Sequence, residues 1–140
     1  MIDRKFKILK IDHVAIAVHN IFESLSLFET LGMAISDTEV VKNEKVNVVK
    51  IKTENKNHTL ELLEPTDSSS VVKKFLNNNN EGLHHIALEV DNIFEAIKYL
   101  RSKNISLIYD IPKSGADKKL ITFIHPKSTP GILLELCQLQ

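Results

Sequence analysis

The sequence predicts an α+β fold built from two tandem βαβββ modules. Three observations carry this expectation: one segment of the chain is written twice, each copy opens on a strict alternation of bulky and small residues, and each alternation runs into the same helix-start signal. Setting Asp12 against His84, an offset of 72, aligns His13 with His85, Ala15 with Ala87 and Val18 with Val90. Asn20-Ile-Phe-Glu23 then falls on Asn92-Ile-Phe-Glu95. A second echo sets Leu60-Glu61-Leu62 against Leu134-Glu135-Leu136 at an offset of 74, a difference that two loop residues absorb. Neither spacing belongs to a stacked solenoid repeat, so a single duplication explains both.

The elements follow in order. Val14, Ile16 and Val18 alternate with His13, Ala15 and Ala17, the period of a strand. The bulky set is expected to face a helix, and the small set to leave room on the other face. In the second copy Ile86, Leu88 and Val90 oppose His85, Ala87 and Glu89. Asn20 and Asn92 then act as helix N-caps, each with a glutamate three residues on. Ile21, Leu25 and Phe28, like Ile93, Ile97 and Leu100, fall at helical spacing, and Gly32 and Asn104 stand where the helices stop.

Strands are expected at Val46–Ile51 and His58–Leu63, separated by the polar turn Thr53–Asn57. The second half supplies Ile105–Tyr109, Leu120–Ile124 and Ile132–Cys137. Between the halves a serine-capped helix carries Val71, Val72 and Phe75, and Asn77–Gly82 reads as a flexible polar linker. The reading is one domain over residues 1–140, with module 8–66 and module 83–138 joined by a short helix and linker at 67–82.

The bulk composition narrows the function. With 140 residues, 43% hydrophobic and 26% charged, the chain has the profile of one soluble globular domain. Eighteen Lys and Arg balance eighteen Asp and Glu, which argues against nucleic acid or an anionic membrane as the main partner. Cys137 is the only cysteine, so no internal disulfide forms and a reducing compartment fits. With no signal-peptide core and no membrane span, a cytoplasmic location is the expectation.

Four residues survive as a symmetric set: His13, Glu61, His85 and Glu135. Each histidine opens the first strand of its half, and each glutamate lies between leucines on the last. A buried carboxylate needs a partner. Two imidazoles and two carboxylates around one cavity would supply ligands for a first-row divalent ion. One such residue alone is more often structural; recurrence of both types at equivalent places favours ligation. His84 has Asp12 as its counterpart and reads as surface or as an outer neighbour of the set. His19, His58 and His125 have no matched partners and receive no metal role.

The segments IDHVAIAV, LELLEPT, GLHHIALEV and IHPKSTPGILLEL, spread from about Lys10 to Gln138, carry a resemblance. The chain resembles the vicinal oxygen chelate superfamily (glyoxalases, bleomycin resistance proteins and dioxygenases) and, within it, the methylmalonyl-CoA epimerase family. The resemblance implies paired βαβββ modules whose mixed sheet curls around a metal cavity. It implies His13, Glu61, His85 and Glu135 as ligands of a divalent ion such as cobalt, manganese, zinc or nickel. The Glu61 slot holds glutamine in some members. Three departures stand out: Phe28 replaces a usual tyrosine, Gly115-Ala116-Asp117-Lys118 replaces a Gly-Ala-His-Gly loop, and Pro130 stands where glycine is common.

The implied activity is interconversion of (R)- and (S)-methylmalonyl-CoA by removal and return of the α-proton. Glu135 and Glu44 are the candidate bases, and Lys127 and Ser128 the candidate contacts to the acyl-CoA. The resemblance also implies a homodimer. A glyoxalase I-like lactoylglutathione lyase would use the same ligands. A metal-free resistance or binding protein would not need them, and an extradiol dioxygenase would use only three.

Overall fold

The computed structural model describes residues 3–140. It divides into two compact units, His13–His84 and the stretch up to Asp12 together with His85–Gln140. The boundary falls inside the first strand, β1 (Ile8–Ala17), so the chain's beginning belongs to the unit formed by its end.

In the His13–His84 unit, β1 leads to α1 (Ile21–Thr30), then β2 (Ala34–Ile35), β3 (Glu39–Val41), β4 (Val46–Lys52) and β5 (Thr59–Pro65). β1 pairs parallel with β5, β5 antiparallel with β4, and β4 antiparallel with both β2 and β3. α2 (Val71–Asn79) follows. In the other unit, β6 (Gly82–Val90) leads to α3 (Ile93–Ser102), β7 (Lys113–Ser114), β8 (Leu120–Ile124) and β9 (Leu133–Gln138). β6 pairs parallel with β9, β9 antiparallel with β8, and β8 antiparallel with β7. Each half therefore sets its last strand beside its first, and the expected α+β class is present; the second half follows the βαβββ plan, and the first carries one short strand more, because β2 and β3 both pair with β4.

The alternation sorts the strand faces as expected. Ile16, Val18, Leu60, Leu62, Val49 and Ile51 pack beneath Ile21, Leu25 and Phe28 of α1. Leu88, Val90 and Leu136 pack beneath Ile93, Ala96, Ile97 and Leu100 of α3. Burying one such side chain fully contributes about 1.5–3 kcal/mol. Phe6 joins the second cluster, with its ring 5.9 Å from that of Tyr99. The Lys7 N–H donates to Asp91 Oδ1 at 2.7 Å, and the Asp91 N–H donates to the Lys7 carbonyl at 3.3 Å.

Both long helices start and stop by the same chemistry. Asn20 and Asn92 accept the N–H of Glu23 and Glu95 at 3.0 and 3.1 Å. At the far ends, the Gly32 N–H donates to the Glu29 carbonyl and the Met33 N–H to the Phe28 carbonyl. The Asn104 N–H donates to the Arg101 carbonyl and the Ile105 N–H to the Leu100 carbonyl. These are paired Schellman motifs, with Gly32 at φ +79° and Asn104 at φ +61° in the left-handed position. A Cβ at Gly32 would be strained, so Gly32→Ala is expected to cost about 1–2 kcal/mol. Asn104→Gly is expected to be neutral or mildly stabilising. Urea midpoints at unchanged slope check both, and a Gly32→Ala midpoint equal to wild type would contradict the strain.

A third symmetric device was not read from the sequence. Glu64 Oε2 accepts the N–H of Ile21 at 3.1 Å, and Gln138 Oε1 accepts that of Ile93 at 2.7 Å. Each half thus uses its last strand to cap the first turn of its helix.

Two expectations are corrected. Ile105–Tyr109 is not a strand but makes a single bridge, Leu107 to Ile124. The Thr122 hydroxyl accepts the Tyr109 N–H at 3.2 Å and donates to the Tyr109 carbonyl at 2.6 Å, so a side chain replaces the ladder there. The short β7 takes the edge instead. Asn77–Asn79 are also not linker, because α2 runs through Asn79. Asn79 Nδ2 donates to the Phe75 carbonyl, and Asn80, at φ +62°, sends its N–H to the Leu76 carbonyl. Only Asn80 and Glu81 remain between α2 and β6, and Glu81 accepts the N–H of His19 at 2.8 Å. Among the described residues, no helix is long and apolar enough to cross a membrane.

Candidate functional site

Each half builds one histidine–glutamate pair on the sheet face turned away from its helix. Parallel pairing of β1 with β5 sets Ala15 beside Glu61, and pairing of β6 with β9 sets Ala87 beside Glu135. The histidine lies two residues before each alanine, on the same face. Alanine leaves space above the strand, so the imidazole and the carboxylate meet across it. His13 Nδ1 is 3.2 Å from Glu61 Oε2, and His85 Nε2 is 3.4 Å from Glu135 Oε1.

All four residues are buried, with only 4–5% of their surface exposed. Two donors bound to one ion at about 2.0–2.2 Å each stand roughly 3 Å apart, so the separation within each pair suits neighbouring ligands. Imidazole nitrogen with carboxylate oxygen is a donor set that late first-row divalent ions accept. The residues therefore fit a divalent ion.

The walls of the second pair are apolar. The Phe123 ring meets His85 edge-on, with centroids 5.5 Å apart, and Tyr109 lies 6.2 Å beyond it. Lys113 Nζ lies 4.3 Å from the centre of the Tyr109 ring. Ala87, Ile121, Phe123 and Cys137 form one buried cluster, with Leu133 against it. Burial, with the nearby Asp12 and Glu135 carboxylates, pushes the Cys137 thiol well above its ordinary range. It stays protonated near pH 7.

Sequence reasoning missed one nearby feature: Lys119 Nζ meets Asp12 Oδ2 at 2.8 Å in a largely buried ion pair. The partners are 107 residues apart, and no local signal links them.

The remaining candidates lie on turns or outside the two pairs. Glu44 is half-buried on the turn between β3 and β4, with its N–H donating to the Val41 carbonyl. The register of β4 with β5 begins only at Val46, so Glu44 is not a strand neighbour of Glu61. Lys127 and Ser128 are exposed on the single 3-10 turn Pro126–Ser128, which His125 caps by accepting the Lys127 N–H on Nδ1. His84 is half-buried with its ring edge-on to Phe75 at 5.0 Å, and burial pushes its pKa down to about 4, so it is neutral near pH 7. His19 and His58 are exposed.

Comparison with known proteins places this geometry in context. Residues 12–123 match the family profile of the Glyoxalase/Bleomycin resistance protein/Dioxygenase superfamily. A mitochondrial methylmalonyl-CoA epimerase of Dictyostelium discoideum is 40% identical over 134 residues, covering 94% of this chain and 80% of its own. The crystal structure of methylmalonyl-CoA epimerase from Mycobacterium tuberculosis superposes with a TM-score of 0.90 at 28% identity, covering 95% of this chain and 89% of that one. A methylmalonyl-CoA epimerase solved with methylmalonyl-CoA and NH4+ superposes with a TM-score of 0.87 at 34% identity, covering 94% of this chain and 95% of that one.

Proposed function

The chain belongs to the glyoxalase/bleomycin resistance protein/dioxygenase superfamily, and on that premise we propose that it is an epimerase interconverting (R)- and (S)-methylmalonyl-CoA. The observation that carries the reading is the duplicated buried pair, His13 with Glu61 and His85 with Glu135. Relatives named for this activity support the substrate.

In this reading His13, Glu61, His85 and Glu135 hold one divalent ion. When bound, such an ion acts as a Lewis acid that polarises the substrate's oxygens, which is worth several kcal/mol of barrier. The chain's own residues move the proton. Glu135 takes it from the α-carbon on one face, and the apolar surroundings of Phe123 and Leu133 exclude water there. Glu44 returns a proton on the opposite face, which inverts the centre. Lys127 and Ser128, exposed on their turn, meet the phosphates of coenzyme A. Copies of the chain pair as a homodimer, a reading supported by Ile8, Leu9 and Ile11, which leave β1 apolar and exposed on both faces.

The test is loss of the α-proton of methylmalonyl-CoA to deuterated solvent, with and without a chelator. The expected result is exchange that the chelator abolishes, with no turnover of the methylglyoxal–glutathione hemithioacetal. Absence of exchange under both conditions removes the assignment.

A further inference from the structure

The two glutamates occupy equivalent places, yet their strand neighbours differ on one side. Ala15 flanks Glu61 and Ala87 flanks Glu135 on the inner side. On the outer side Glu61 is in register with Lys50, and Glu135 with Phe123. Residues directly opposite in an antiparallel pair share a face, with Cβ atoms about 4.5–5.5 Å apart. Lys50 therefore stands on the ligand face of its half, next to Glu61. Its neighbours Val49 and Ile51 turn the other way into the α1 core.

The backbone holds Lys50 in that position. Its N–H donates to Ser36 Oγ and its carbonyl accepts the Ser36 N–H, both at 2.9 Å. Neither the duplication nor the helix core demands a cation here, because the duplicate position carries an aromatic ring. A half-buried lysine gives up hydration and side-chain freedom. That cost implies anionic company on this face. Glu61 beside it and Glu39, which faces Val48 two residues along the strand, supply such company in the protein alone.

We propose that Lys50 is a specificity-determining residue that reads the free carboxylate of a malonyl-type thioester. The inference rests on the epimerase reading and deepens it. It explains why one of two matched positions carries a cation where the other carries an aromatic ring: the substrate is itself unsymmetrical, with a charged arm and a neutral thioester arm. An ammonium on a flexible stem can leave its acidic neighbours for an incoming carboxylate.

The experiment compares two competitive inhibitors on wild type, Lys50→Met and Lys50→Arg. Malonyl-CoA carries the carboxylate, and propionyl-CoA does not. Metal content of each variant is measured alongside. The expected result for Lys50→Met is inhibition by malonyl-CoA weakened tenfold or more, with propionyl-CoA inhibition and metal content unchanged, and Lys50→Arg recovering most of the loss. Equal weakening of both inhibitors, no weakening of either, or loss of metal would overturn the proposal, the last by assigning Lys50 to Glu61 alone. Wild-type protein that neither exchanges the α-proton of methylmalonyl-CoA nor binds malonyl-CoA would instead overturn the epimerase reading, and this inference with it.

Discussion

Glu135→Gln is expected to lower kcat by about 10²- to 10⁴-fold, the usual contribution of a positioned base. Glu61→Gln is expected to stay within about tenfold of wild type, because a carboxamide oxygen still serves as a ligand to a divalent ion. The two residues are matched in burial, at 5% and 4% exposed, and in their histidine partners, at 3.4 and 3.2 Å. A purely ligating role for both would give losses of similar order, even though Lys50 flanks Glu61 where Phe123 flanks Glu135. Steady-state rates with metal content measured in the same samples separate the cases. Equal losses in the two variants would take the proton-transfer role away from Glu135.

Cobalt(II) or zinc at a hundred times its dissociation constant is expected to stabilise the fold by about 2.7 kcal/mol, since binding to the folded state alone shifts the unfolding equilibrium. A chelator should reverse the gain. His13→Ala and His85→Ala should each abolish it. Each should also lower the metal-free stability by about 1–3 kcal/mol, because a buried carboxylate loses its imidazole. Thermal melts over a metal titration provide the measurement. A melting temperature in wild type that no divalent ion moves would refute the four-residue centre.

The ligand candidates were legible because duplication doubles a weak signal. One histidine in a strand says little, but His13 and His85 with Glu61 and Glu135 at matched places say more, even though β1 and β6 begin before their histidines, at Ile8 and Gly82. Helix ends were legible for another reason. Asn20, Gly32, Asn92 and Asn104 act on backbone atoms a few residues away, so their chemistry is local. Features made by distant residues were hidden. Nothing near Asp12 announces Lys119, and nothing near Ile21 announces Glu64. The echo did contain Glu64 and Gln138, each three residues after its Leu-Glu-Leu glutamate, but a change of residue type masked the shared role. The misread strand at Ile105–Tyr109 has the right β-branched and aromatic content, but its pairing stops at one bridge, and beyond it the distant Thr122 hydroxyl takes the Tyr109 backbone groups. The asparagine run after Phe75 has loop composition, yet Leu76 and Val72 are buried and hold it helical.

The contribution of Phe6 to the cluster around Val90, Ile93 and Leu136 bears on how this chain comes to fold. During synthesis, the earliest residues leave the ribosome long before the helix they belong with has been made. The first half can form its own sheet, but the tail end has no complete core until the opening segment is recruited back to it. A fragment beginning at residue 83 should be unstable alone, and supplying the leading dozen residues as a separate peptide should help rescue it.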